Sequence, residues 1–183
     1  EYTAKIVNDF LEQAYRVLKD HPVNKYREQK GLMPANFLLL RGAGMESPRI
    51  AKYPKWVGCV YMALEIGFAK LSGMDVYSFK YPKLRNLKVY DNLHKGLKKA
   101  CKFAIKAIKK AKRKDLEYVY IHIKEIDVPG HDNKPLEKKS MIEYIDKVLF
   151  SYIVKFAQTN KVKILVTADH STPCKIKSHS ADP

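Results

Sequence analysis

The sequence predicts an α/β protein built on a parallel sheet, with a smaller α/β subdomain ahead of it, and three observations carry that expectation. An apolar run at Tyr118–Ile123, a helical period from Leu136 to Gln158 and a second apolar run at Val162–Val166 read as strand, helix, strand. A connection of that length pairs its strands in parallel. Upstream of a long cationic helix, the first 80 residues alternate helical and strand-like segments.

In chain order, Ile6, Val7, Phe10, Leu11, Ala14, Tyr15 and Leu18 fall at the i, i+3, i+4 spacing of an amphipathic helix over Thr3–Leu18, with Thr3 in place to cap it. His21-Pro22-Val23-Asn24 ends that helix. Ala35–Leu40 reads as a buried strand, followed by Arg41-Gly-Ala-Gly44. The Gly-x-Gly lacks a third glycine and a following helix, so no dinucleotide fingerprint is expected. A guanidinium at a strand end can hold a carboxylate or phosphate through two bonds, which makes Arg41 a candidate anion contact; a surface Arg beside a tight turn would read the same. Val57–Leu71 is apolar enough for a half-buried helix stopped by Gly73, and Asp75–Phe79 reads as another strand. The basic, irregular stretch Lys80–Asn92 is the expected linker, dividing the chain into residues 1–80 and residues 93–183.

Leu93–Lys114 reads as one helix whose buried stripe is Leu97, Cys101, Ala104, Ile108 and Ala111, with ten Lys or Arg from Lys95 to Lys114 on its other faces. The helix from Leu136 to Gln158 is expected to bury Ile142, Ile145, Leu149, Ile153 and Phe156. No internal repeat or low-complexity segment interrupts the pattern.

Composition bounds the function classes. Hydrophobic residues at 46% and charged residues at 30% of 183 are those of a globular protein with one good core or two small ones. No apolar run approaches the ~20 residues of a membrane span. The net charge of +16 invites an anionic partner, but no zinc-finger spacing, RNP-like aromatic motif or helix-turn-helix pattern accompanies it, so nucleic acid is not expected. Cys59, Cys101 and Cys174 are odd in number without a CxxC pair, which points to a reducing, cytoplasmic setting and, for Cys174, to packing. The chain starts at Glu1 and stops at Pro183 directly after a histidine motif, so a longer parent protein is expected.

The chemistry concentrates at two places. Asp127-Val-Pro-Gly-His131 follows the run Tyr118–Ile123, while Asp169, His170 and, nine residues later, His179 follow Ile164–Val166. Parallel strands put both C-terminal ends on one edge of the sheet, where open α/β sheets carry their sites. Carboxylates and imidazoles are the ligands that borderline divalent cations take. Loop residues satisfied by nearby backbone would present the same types.

Together these residues resemble the archaeal-type cofactor-independent phosphoglycerate mutases of the alkaline phosphatase superfamily. The resemblance covers nearly the whole chain. It runs through His21-Pro-Val-Asn24, Ala35-Asn36, Leu40-Arg-Gly-Ala-Gly44 and Gly73-Met-Asp75. It continues through Lys124, Asp127-x-x-Gly-His131-Asp, Ile142-Glu-x-Ile-Asp146, Thr167-Ala-Asp-His-Ser-Thr-Pro-Cys174 and His179-Ser-x-Asp-Pro183.

The resemblance implies an alkaline-phosphatase-like catalytic domain, present in part, with an insertion (lid) subdomain in residues 1–80. It implies two divalent cations, manganese or zinc, with magnesium or cobalt as further options, and no 2,3-bisphosphoglycerate. Asp127, His131 and His179 would hold one cation and Asp169 and His170 part of the other. Phosphate would pass from 3-phosphoglycerate to a serine and back to the 2-position. Arg41, Lys124, His21, Asn24 and Arg27 become candidate substrate contacts, the last three against the plainer reading of a helix-ending turn. The remaining metal Asp and the nucleophilic Ser have no counterpart here, since Ser171 belongs to the ligand motif. The expected partners are therefore phosphoglycerate and the N-terminal remainder of the same protein. A different two-metal phosphomutase or phosphatase, or a basic binding module without chemistry, stands as the alternative.

Overall fold

A computed structural model of the chain describes residues 1–84 and 88–181. These form two compact units, Glu1–Arg49 and Ile50–Pro183. In the first, α1 (Tyr2–Lys19) and α2 (Pro22–Gln29) are joined at His21, whose Nδ1 accepts from the Val23 N–H at 3.2 Å. Pro22 ends α1 as expected and also opens α2, since a first-turn proline gives up an N–H that no helix uses. Thr3 lies inside α1, and its N-cap is Glu1 without a side-chain bond. Val7, Leu11, Ala14 and Leu18 form the half-buried stripe of α1. The strand expected at Ala35–Leu40 does not form: Phe37, Leu39 and Leu40 are exposed and the segment has no ladder partner among the described residues. An apolar run becomes a strand only where another strand takes up its N–H and C=O groups, so Arg41 stands on an exposed loop rather than at a strand end.

In the second unit a three-stranded parallel sheet has the order β2-β1-β3, from β1 (Trp56–Cys59), β2 (Asp75–Tyr77) and β3 (Tyr118–Ile121). The helix expected over Val57–Leu71 is thus half strand: Trp56–Cys59 pairs on both sides, and α3 is only Ala63–Leu71. A short apolar run reads equally as buried strand or buried helix, and the pairing partners decide it. Gly58 leaves room where α3 crosses, since a Cβ there would come within 3.3 Å of the Ala69 Cβ.

The parallel crossovers are β1–α3–β2 and β2–α4–β3, with α4 at Val89–Arg113. The expected unit of Tyr118–Ile123, helix and Val162–Val166 is not formed. Residues 162–166 have no ladder partner among the described residues and are exposed, with Leu165 at 89% and Val166 at 66%. The stretch 80–92 connects β2 to α4 within this unit, and its residues 85–87 lie outside those described.

α4 buries the stripe expected of it, Leu97, Cys101, Ala104, Ile108 and Ala111, extended by Gly96, Ala100 and Ala107. One side meets Cys59 of the sheet. The other meets Met141 and Ile145 of α6 (Pro135–Ile145) and Leu149 of a π-helical turn, Asp146–Phe150, that runs into α7 (Ser151–Asn160). The buried face of α6 runs through Met141 and Ile145 to Leu149 at ordinary helical spacing and leaves Ile142 47% exposed; past the wider turn Ile153 and Phe156 are half-buried. On the sheet's opposite face Val60, Ala69 and Met74 pack with Trp56, Ile66 and Tyr120. Cys59, Cys101 and Cys174 are free, and burial, then the neighbouring Cys101, pushes the Cys59 thiol up to about 12. No helix among the described residues is long and apolar enough to cross a membrane.

Candidate metal centre

The C-terminal ends of β1 and β3 share one edge of the sheet. From β3 the chain passes through Lys124 and Glu125 into α5 (Asp127–His131), a short helix where a loop was expected. The helix places Asp127 and His131 one turn apart on the same face. The junction is clamped from β1. The Tyr61 hydroxyl donates to Glu125 Oε2 at 2.7 Å and accepts the Lys124 N–H at 3.0 Å. Glu125 is 1% exposed, and burial, then this carboxylate, hold the Tyr61 hydroxyl far above its ordinary value.

The second motif folds back on itself. Ser171 and Ser180 form an isolated antiparallel bridge, with the Ser180 N–H donating to the Ser171 carbonyl at 3.0 Å and the two hydroxyls 2.8 Å apart. The bridge stacks the rings of His170 and His179, centroids 3.6 Å apart. The loop seats on α5 where Gly130 meets Thr172: a Cβ on Gly130 would collide with the Thr172 carbonyl oxygen. The Lys138 ammonium donates to that same carbonyl at 2.7 Å.

This seating brings together most of the predicted ligands. His131 Nε2 and His179 Nε2 are 3.1 Å apart, and they stand 3.5 and 3.6 Å from Asp127 Oδ1. Those separations bracket the ~3.3 Å edge of a tetrahedron whose corners lie about 2.0–2.1 Å from a central cation, so the three residues fit one. Asp127, His170 and His179 also offer ligand atoms within 4.8 Å of one another, so Asp127 and His179 are common to both sets. Asp169, 56% exposed at its side chain, stays with its neighbour: Oδ1 accepts the His170 N–H at 3.0 Å and Oδ2 lies 3.4 Å from His170 Nε2. His179 stands inside the described residues; Asp182 and Pro183 of its motif lie outside them.

Outer partners fix the proton positions. His131 Nδ1 lies 3.0 Å from the Lys177 carbonyl, which can only accept, so Nδ1 carries the proton and Nε2 keeps its lone pair in the neutral ring. The Thr172 hydroxyl donates to Asp127 Oδ1 at 2.6 Å and so accepts from His170 Nδ1 at 3.2 Å. Burial by itself pushes the Asp127 carboxyl up. The Thr172 hydroxyl and the imidazoles of His131, His179 and His170 outweigh it and hold the group below its ordinary value. Thr172, Gly130, Glu125 and Lys138 escaped the sequence reading. Thr172 had a signal, since it stands two residues past His170 in the motif; burial of Glu125 had none.

The other candidates have visible local roles. Asn24, 3% exposed, donates to the Leu18 and Ala35 carbonyls and accepts the Ala35 N–H, so all three of its contacts are backbone ones within the first unit. Arg27 Nε donates to the Met33 carbonyl at 2.9 Å, and His21 caps α2. Lys124 belongs to the second unit, where its carbonyl accepts the Asp127 N–H at 3.4 Å.

Residues 57–183 match a family model described as the Metalloenzyme superfamily. A Pyrococcus horikoshii protein named 2,3-bisphosphoglycerate-independent phosphoglycerate mutase is 36% identical over 185 residues, covering 98% of this chain and 42% of the relative. An Archaeoglobus fulgidus protein, named 2,3-bisphosphoglycerate-independent phosphoglycerate mutase 1, is 37% identical over 187 residues, covering 99% and 42%. A solved structure of a Pyrococcus horikoshii protein matches with a TM-score of 0.68 at 34% identity, covering 100% of this chain and 46% of that one. The chain spans less than half the length of the curated relatives it matches.

Proposed function

We infer the function from the premise that this chain belongs to the Metalloenzyme superfamily. It is the metal-holding part of a cofactor-independent phosphoglycerate mutase, which interconverts 3-phosphoglycerate and 2-phosphoglycerate through a phosphoserine on a serine outside these residues. The observation that carries this reading is the convergence of His131 Nε2, His179 Nε2 and Asp127 Oδ1 within 3.6 Å of one another. Asp127, His131 and His179 hold one divalent cation, and Asp169 and His170 contribute to a second. Manganese or zinc is the cation we assign to this donor set, with magnesium or cobalt as further options. Such cations neutralise phosphoryl oxygens and lower the pKa of an attacking hydroxyl.

The chain's own residues position the reactants. Thr172 keeps Asp127 ionised and His170 in one tautomer. Lys124 offers an ammonium to the phosphate or carboxylate of the substrate. Arg41, His21, Asn24 and Arg27 are the substrate-side candidates of the first unit; Asn24, with its backbone contacts, acts by shaping the turn. We assign the lid role to Glu1–Arg49 rather than to residues 1–80, because β1 and β2 share a sheet with β3. The glycolytic role and a cytoplasmic location follow from the same reading.

The test is an assay of the purified chain with 3-phosphoglycerate and Mn²⁺, alone and mixed with the rest of the enzyme. Phosphoryl transfer through a phosphoserine fails without the group that carries the phosphate, so turnover is expected only in the mixture. Turnover by the chain alone would overturn the placing of the nucleophile. Lack of turnover in the whole enzyme would overturn the mutase reading.

A further inference from the structure

Beside the metal ligands, the same sheet edge carries a second cluster, in which Lys124 meets a carboxylate that none of the steps above uses. Glu65 sits in the first turn of α3, just past the end of β1, and its side chain is 13% exposed. Its Oε1 lies 3.6 Å from the Lys124 ammonium and 4.0 Å from His122 Nδ1, both just past the end of β3. Its Oε2 is buried with no hydrogen-bond partner among the described residues. His122 Nδ1 is also 3.3 Å from the Tyr120 hydroxyl. Burial, then the carboxylates of Glu65 and Asp169, hold that hydroxyl above its ordinary value.

A carboxylate withdrawn from water this far is costly unless a cation stands against it. Here the nearby candidates are Lys124 and His122, and the Lys124 ammonium is the nearer at 3.6 Å against 4.0 Å. The constraint runs in both directions. A lysine has four rotatable side-chain bonds and spreads over many rotamers unless something holds its end. Lys124 is 40% exposed at its side chain, so its own packing does not hold it. Glu65 supplies the hold from a neighbouring strand end.

We propose that Glu65 is a positioning residue for Lys124, fixing its ammonium at the sheet edge so that it meets the anionic oxygens of a phosphorylated substrate. The proposal rests on the mutase reading only for the identity of that substrate. Glu65 itself would repel the substrate, so it acts through Lys124 and not by touching phosphate.

The test is a double-mutant cycle in two assays: turnover of 3-phosphoglycerate by the whole enzyme with Mn²⁺, and titration of the 183-residue chain with inorganic phosphate. Lys124→Met is expected to lower kcat/KM by at least about ten-fold, as loss of a charge-assisted contact does. Glu65→Gln is expected to lower it by roughly three- to ten-fold, through KM more than kcat, and to cost nothing further in the Lys124→Met background. Glu65→Asp, which shortens the reach but keeps the charge, falls between wild type and Glu65→Gln. Phosphate affinity of the chain follows the same pattern, and bound cation stays unchanged in every variant. Equal effects of Glu65→Gln in both backgrounds, or loss of cation with it, would overturn the proposal and make Glu65 a support of the fold. Absence of turnover in the unmodified enzyme would end the mutase reading and leave the phosphate cycle to judge Glu65.

Discussion

His131 and His179, 48 positions apart in the chain, bring their Nε2 atoms to 3.1 Å because each is held from behind. His131 is steered by the Lys177 carbonyl and His179 by its stack on His170. Two neutral imidazoles facing lone pair to lone pair repel, unless a proton or a cation stands between them. Added Zn²⁺ or Mn²⁺ is therefore expected to raise the melting temperature of the chain, and His131→Ala and His179→Ala each to remove most of that rise. Differential scanning calorimetry with and without chelator measures it.

Thr172→Val keeps the shape of the side chain and deletes the hydroxyl between Asp127 and His170. Changes to such outer partners typically cost about 10–100-fold in metal affinity. Competition with a chromophoric chelator would read the loss. Unchanged affinity would show that Asp127 and His170 need no orienting group.

Gly130→Ala brings a methyl against the Thr172 carbonyl and to 3.0 Å from the Thr172 Cβ, and neither neighbour is the free end of a flexible chain. Overpacking of this kind costs about 1–3 kcal/mol. The expected outcome is a melting temperature lower by several degrees, with weaker cation binding because α5 and the loop are pushed apart.

Asp75 lies between Lys110 and Lys114, at 3.2 and 3.1 Å. Burial pushes its carboxyl up, but the two ammoniums outweigh it and the net shift is downward. A depressed carboxyl stabilises the fold above its unfolded pKa, near 4, and loses that contribution as pH falls through the folded value. Both lysines reach solvent, so the pairs contribute at most about 1 kcal/mol. Urea melts should find Asp75→Asn less stable at pH 7 and the gap closed by about pH 2.

Val162–Val166 is apolar apart from Lys163, is β-branched at Val162, Ile164 and Val166, and meets solvent, with Leu165 at 89% exposure. Such a window is a hazard for strand-to-strand association. The purified chain is expected to self-associate with rising concentration, and Leu165→Lys to suppress it. Light scattering across a dilution series checks this.

How much was legible in the sequence depends on where the deciding partner lies. α4 was readable because eight small or apolar residues recur at one period over 25 residues. Trp56–Cys59 was misread because a four-residue run fits helix or strand, and its identity is set by β2 and β3, far off in sequence. Val162–Val166 differs for the opposite reason: the pattern suits a strand, but no ladder among the described residues reaches it. At the candidate site, residue chemistry gave Asp127, His131, His170 and His179. Thr172 and Glu65 act through who sits beside them in space, and spacing along the chain carries no record of that.

The Ser171–Ser180 bridge has an entropic consequence. Bringing together the ends of a flexible ten-residue loop costs about 2 kcal/mol beyond a constant. With the bridge formed, folding bears that cost before any ion arrives, and the imidazoles of His170 and His179 need not be gathered from a disordered ensemble. Loosening the bridge by removing its hydroxyl pair, as Ser171→Ala with Ser180→Ala would, should therefore slow ion capture and weaken it while leaving every ligand atom in place.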